Sequence, residues 1–196
     1  MTSRDAILKN LSANKPELID LPIIETAVFD EQLDLIKEFT KKIEVVGGSV
    51  VEIQDHDSVL EYVQNTFPNT SVNYSTLANS ADFNSIDLET LNTPHDLEDL
   101  DILILESKVG IAENGAIWLT DSEIPVRVLP FITKHLVIVL SQGNLVSYMH
   151  QAYDKIAPSS ADYGVFISGP SKTADIEQSL VIGAHGALSL TVLLTD

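Results

Sequence analysis

An open α/β sandwich built on a mostly parallel sheet is the fold class that the sequence predicts, from three observations. From Asp30 onward the apolar pattern changes period repeatedly, as it does when strands alternate with helices. Two short stretches, Asp101 to Leu105 and His135 to Leu140, are apolar runs without the alternation of a half-wet sheet, which suits strands buried on both faces. The chain has 196 residues, 44% of them apolar. A chain of that size buries roughly 70% of its unfolded surface around one core, with no staple required.

In order along the chain, Met1 to Leu11 reads as an amphipathic helix opened by Ser3, with Ile7, Leu8 and Leu11 as its apolar stripe. Asn14 to Val28, with Pro16 and Pro22, reads as an extended connector. Residues 1–28 thus form an arm and 29–196 the main domain. Leu33, Ile36, Lys37 and Thr40 share a helix face that ends near Gly47-Gly48, and Ser49 to Ile53 follows as a strand. Asp57 or Ser58 caps a helix with the stripe Val59, Leu60, Val63 and Phe67, and Pro68 stops it before a strand around Val72 to Tyr74. Leu77 to Pro94, rich in Asn, Ser and Asp, reads as a surface excursion. Asn144 is expected to cap a helix carrying Leu145, Tyr148, Met149 and Ala152. Tyr163 to Ile167 is expected to return to the same parallel sheet, and Leu188 to Leu194 is the last strand.

Composition excludes several functions. Cysteine is absent, which removes disulfides, thiolate zinc sites, a cysteine nucleophile and any thiolate-held iron–sulfur cluster of the chain's own. The formal charge of −18 repels nucleic acid and anionic lipid surfaces. No Lys or Arg lies between Lys42 and Lys108. The start lacks the basic head and unbroken apolar stretch of a signal peptide, and no apolar run approaches membrane-spanning length, so a cytoplasmic location is expected. The histidines His56, His95, His135 and His150 show no ligand spacing, and no metal site is expected.

Three stretches carry candidate chemistry. The first, Ser168-Gly169-Pro170-Ser171-Lys172-Thr173-Ala174-Asp175, follows a predicted strand; its hydroxyls, base and backbone N–H groups suit an anion, although the spacing is not that of a Walker loop. Asp175 and Glu177 can also serve as an acid–base pair or as plain solvated acids. In the second, Gly110 to Leu119, the string Glu113-Asn114-Gly115 reads as a hairpin turn that presents a carboxylate at a strand edge. Arg127, in an apolar stretch, calls for a carboxylate or phosphate partner, with Glu113 one candidate. In the third, Gly183-Ala184-His185-Gly186-Ala187, a histidine between glycines is free to project into a cleft and titrate near neutrality. Glu113, Arg127, Lys172 and His185 are expected to meet in one cleft at the carboxyl edge of the sheet, where open α/β sheets hold ligands.

GIAENGAIWL, RVLP with His135 a few residues on, ISGPSKTADIE and GAHGALSLTVLL together resemble the lactate-utilization protein C family, the LUD domain. The resemblance covers residues 100–196 by motif and 30–100 by organisation, and the main domain at 29–196 is the LUD domain on that reading. It implies a three-layer α/β/α sandwich with a mostly parallel sheet, akin to ribose-5-phosphate isomerase and the coenzyme A-transferases. It also implies a subunit of an L-lactate utilization system that oxidises lactate to pyruvate beside iron–sulfur partner proteins. The clusters are then expected on the partners, and the chain has no cofactor of its own. Catalytic roles fall to Glu113 and His185. A small carboxylate or phosphate is expected at Arg127, Ser168, Gly169, Ser171, Lys172, Thr173, Asp175, Gly183 and Gly186. The competing expectation is a free-standing coenzyme A-transferase-like or other small-anion-binding enzyme, since Glu113-Asn114-Gly115 is similar to the transferase motif whose glutamate becomes an acyl thioester.

Overall fold

The computed structural model describes residues 2–20, 22–23, 25, 33–156, 161–174, 180–183 and 186–196, with backbone alone at 173–174 and 180–182. The chain divides into two units, residues 1–32 and 33–196. In the first unit, helix α1 (Ser3–Ala13) is capped by Thr2 and not opened by Ser3 as the cap. Asp5 stands three residues after Thr2, so both halves of a capping box close: the Thr2 hydroxyl accepts from the Asp5 amide at 3.3 Å, and the Asp5 carboxylate accepts from the Thr2 amide at 2.9 Å. Ile7, Leu8 and Leu11 on α1 are exposed, and 15–20 has no regular structure.

The second unit opens with α2 (Leu35–Val45), whose Asp34 cap accepts from the Lys37 amide at 3.1 Å. β1 (Ser49–Glu52), α3 (Val59–Thr66), β2 (Asn73–Ser75) and β3 (Ile102–Ser107) follow. The hairpin β4 (Val109–Ile111) and β5 (Ala116–Thr120), the short α4 (Leu129–Ile132), β6 (His135–Ser141), β7 (Leu145–Val146) and α5 (Met149–Ile156) come next. β8 (Gly164–Ile167), the antiparallel pair β9 (Lys172–Ala174) and β10 (Leu180–Ile182), and β11 (Ser189–Thr195) complete it.

Five strands form one sheet in the order β1-β11-β6-β3-β2, and every pairing in it is parallel. Its two faces are read off alternate residues. Leu103, Leu105, Leu136, Ile138, Leu140, Leu190, Val192 and Leu194 pack on the α2 side with Phe39 and Ile43. Ile102, Ile104, Val137, Val139 and Leu193 pack on the other side with Val59 and Val63 of α3. Both faces are dry, which is why these strands read as unbroken apolar runs. Helices on both faces make the α/β/α frame.

A second sheet, β7-β4-β5-β8, sends Ile117, Leu119 and Leu145 into the α2-side core and Val109, Ile111 and Ala116 into a small cluster with Ala152 of α5. Here two expectations are corrected. β8 does not join the parallel sheet; it pairs antiparallel with β5, Trp118 opposite Phe166 and Thr120 opposite Gly164. Its residues are only half-buried, and Gly164 leaves bare backbone under the Trp118 ring, where a Cβ would come within 2.2 Å. The helix placed after Asn144 starts instead at Met149. Leu145 and Val146 are a strand beside Gly110 and Ile111, and the Gln151 side chain accepts from the Ser147 and Tyr148 amides at 2.9 and 3.2 Å. The excursion after β2 is also anchored: Leu77 and Phe83 are buried in the α3-side core, and the Ser80 hydroxyl donates to the Leu77 carbonyl at 2.6 Å.

Candidate functional site

The Glu113-Asn114-Gly115 segment is the turn of the β4–β5 hairpin, as its composition predicts. The Asn114 side chain accepts from the Ala116 amide at 3.0 Å, which closes the turn locally. The Glu113 amide donates to the Ser147 carbonyl at 3.0 Å, and its carboxylate accepts from the Met149 amide at 2.9 Å. Met149 is the first residue of α5, so Glu113 supplies the acceptor that the helix start lacks and sets a negative charge against its positive end.

β8 delivers the Ser168-Gly169-Pro170-Ser171 loop to this same turn, because its antiparallel register puts Ile167 opposite Ile117. The Ser168 hydroxyl donates to the Asn114 carbonyl at 2.9 Å. Gly169 adopts φ +77°, and a Cβ there would lie 2.8 Å from the Val46 carbonyl oxygen, so the loop closes onto the end of α2 only with glycine at this position. Lys172 is exposed, and its Cε lies near Gly47, 3.9 Å from where a Cβ would stand.

The loop also reaches the segment ahead of β11. The Ser171 amide donates to the Ala187 carbonyl at 2.9 Å, and the Gly183 amide donates to the Ser171 carbonyl at 3.0 Å. Gly186 lies flat on Ser171: a Cβ would come 2.9 Å from the Ser171 Cβ. Thr173 falls in β9, and only its backbone is described. Asp175 and His185 lie outside the described residues.

Two adjoining cavities mark the junction. One, of about 220 Å³, is lined by Pro130, Phe131, Leu136, Phe166 and Ile167 together with Ser168, Gly169, Ser171, Gly186 and Ala187. The other, of about 320 Å³, runs from Phe131 to Lys134 and across to Gly183, Gly186 and Leu188. The first is lined by two serines and two phenylalanines. The second includes Lys134, whose ammonium lies 2.7 Å from the Asp101 carboxylate; that hydrogen bond raises the Lys134 pKa and keeps the amine protonated. Both cavities suit a small molecule with an apolar part and a polar end.

The expected edge of the sheet is the wrong one. The loops gather at the amino ends of β6 and β11, where the Leu188 amide donates to the Lys134 carbonyl at 2.8 Å, and not at the carboxyl ends. The physical reason is the direction of β8, which runs in a separate antiparallel sheet and brings its own carboxyl end there. Arg127 is not part of the junction. Its guanidinium lies 4.0 Å from the Asp121 carboxylate and 4.8 Å from the centre of the Tyr163 ring. Asp121 and Tyr163 stand at the Thr120 end of β5, opposite to the turn, so Arg127 does not have Glu113 as its partner. His135 opens β6 on the α3 face, its Nδ1 2.8 Å from the Ser189 hydroxyl and its ring 4.6 Å from that of Phe67. Burial lowers its pKa. Phe131, Phe166 and Val46 are contributors the sequence reading missed. An apolar residue on a cavity wall carries no chemical signature, and Gly47-Gly48 read only as a helix stop. Among the described residues no group of three His, Asp or Glu side chains could hold a metal ion.

A family model described as the LUD domain matches residues 36–195. Lactate utilization protein C of Geobacillus sp. (strain WCH70) is 28% identical over 99% of this chain and 80% of its own length. Lactate utilization protein C of Shouchella clausii (strain KSM-K16) is 33% identical, over 49% of this chain and 44% of its own. Among solved structures, a DUF162 family protein from Deinococcus radiodurans superposes with a TM-score of 0.64 at 17% identity, covering 83% of this chain and 97% of that one, which supports the α/β fold. No helix among the described residues is long and apolar enough to cross a membrane.

Proposed function

Since the chain belongs to the LUD domain family, we propose that it serves lactate utilization, as a cytoplasmic subunit of a system that oxidises L-lactate to pyruvate beside iron–sulfur partner proteins. The names of its relatives support the pathway. The oxidation releases two electrons and two protons per lactate, and a chain with no cysteine has no thiolate to hold a cluster that takes them. The electron carriers therefore belong to the partners. This chain's part is to hold a small carboxylate, or the partner group that handles it, at the amino ends of β6 and β11.

The observation that carries the site reading is the junction of the motif loops. Ser168 ties to the hairpin turn, Ser171 ties to Ala187, and a cavity of about 220 Å³ opens between them. Gly183 and Gly186, which flank His185 in the sequence, line the adjoining cavity, and on that sequence position His185 is the residue to test. Transferase chemistry at Glu113 has less support, because its carboxylate accepts from the Met149 amide at the start of α5.

The test is complementation of a lactate-utilization host deleted for its own protein C, with growth on L-lactate as the readout and pull-down of the partners as a second measurement. The wild-type chain should restore growth and retain iron–sulfur proteins. His185→Ala and Ser171→Leu, which adds bulk to the lining of the cavity, should abolish growth while the purified variants stay folded. Restoration by both variants would remove the site; failure of the wild-type chain with no partner captured would remove the lactate reading.

A further inference from the structure

We propose a second binding site, for a small monocarboxylate with an apolar body, between the β4–β5 hairpin and the last turn of α5. The cavity there measures about 190 Å³; Val109, Trp118 and Ile156 are its apolar lining and Lys108, Glu123 and Lys155 its charged lining. An apolar cavity of about 150 Å³ admits benzene, so this volume has room for one six-membered ring or a branched chain.

The charge is arranged around Glu123, whose side chain is 12% exposed. Its carboxylate accepts from the Thr120 amide at 2.9 Å, the Thr120 hydroxyl at 2.5 Å and the Ser122 hydroxyl at 2.6 Å. Burial works to raise its pKa, but these hydrogen bonds outweigh burial and hold it below the usual value, so the group stays ionised. Lys108 answers that charge at 3.5 Å. Among the described residues that line the cavity, Lys155 is then the cation left to meet a ligand. One net positive charge beside an indole and two aliphatic side chains, in a chain of formal charge −18, selects a single carboxylate on an apolar body over a polyanion. The site lies at the Thr120 end of β5, away from the loops around Ser168, and does not rest on the lactate reading.

Trp118 is the sole tryptophan, so its fluorescence reports occupancy directly. The probe is cyclohexanecarboxylate, with cyclohexylmethanol as the neutral match and acetate as the charge without the body. The acid should give a saturable change, and both controls should bind roughly tenfold more weakly, the scale of one lost charge-assisted contact or one lost apolar body. Lys155→Met should weaken the acid by roughly tenfold and Lys155→Arg should restore it, while Ser168→Ala should bind as the wild type does. A flat titration, equal affinity for the alcohol, or an unchanged Lys155→Met affinity would each overturn the site.

Discussion

Asp101 shows how one side chain fixes three segments at once. Its carboxylate accepts from the Ser71 and Val72 amides at 2.9 and 3.1 Å on the way into β2, and from the Lys134 ammonium at 2.7 Å ahead of β6. The Lys134 hydrogen bond, then those two amides, hold its pKa well below the usual carboxylate range. A depressed carboxyl pKa contributes stability above the unfolded value of about 3.9 and loses it as pH falls through the folded one. Asp101→Asn should therefore lower stability at pH 7 by about 1–2 kcal/mol, allowing for solvent screening of the lysine. The gap from wild type should narrow steadily below about pH 4, measured by urea denaturation across pH. Glu113 gives the contrasting case. Glu113→Gln keeps an acceptor for the Met149 amide and should be near neutral, whereas Glu113→Ala should cost about 0.5–1 kcal/mol, as lost caps do. Both variants should still support growth on lactate; loss of growth in Glu113→Gln with stability intact would instead point to carboxylate chemistry.

The elements differ in how much of each was legible. β3, β6 and β11 were visible because both faces of the parallel sheet are dry, which leaves an unbroken apolar run in the sequence. β7 was hidden: two apolar residues carry no period, and Leu145 fits a helical stripe as well as a strand. β8 reads as a strand but its sheet is not legible, because nothing local distinguishes a half-buried antiparallel partner of β5 from a member of the parallel sheet. That difference moves the site from one edge of the sheet to the other: of the four residues expected to share a cleft, Arg127 lies at the Thr120 end of β5 and His185 outside the described residues, while Ser168, Gly169, Ser171 and Gly186 line one cavity. The difference between the sheets is measurable. Leu105→Ala, at a fully buried position between both layers, should cost about 2–5 kcal/mol, a fall of several degrees or more in Tm. Phe166→Ala in β8 is only half-buried and should cost less than Leu105→Ala, despite the larger side chain removed, as thermal melts of the two will show.

At the scale of the whole chain, the core formed by the described residues lies in one unit. Among the described residues every buried apolar side chain, from Phe39 to Leu194, belongs to residues 33–196, and α1 buries none. Apolar burial is the main source of stability, at about 25 cal/mol per Å² removed from water. An arm whose Ile7, Leu8 and Leu11 are 57, 50 and 63% exposed contributes little of it. Its helix is held by a capping box worth about 1 kcal/mol, which is local to residues 2–5. The family match also begins only at residue 36. Removing residues 1–20 should therefore leave the rest folded, with a change of less than about 1 kcal/mol, or roughly 2–4 °C in Tm for a domain of this size. Calorimetry of full-length and truncated chains at matched dilute concentration checks this. A larger drop would mean that the arm shares in the core, and the division of the chain into an arm and an autonomous domain would then have to be given up.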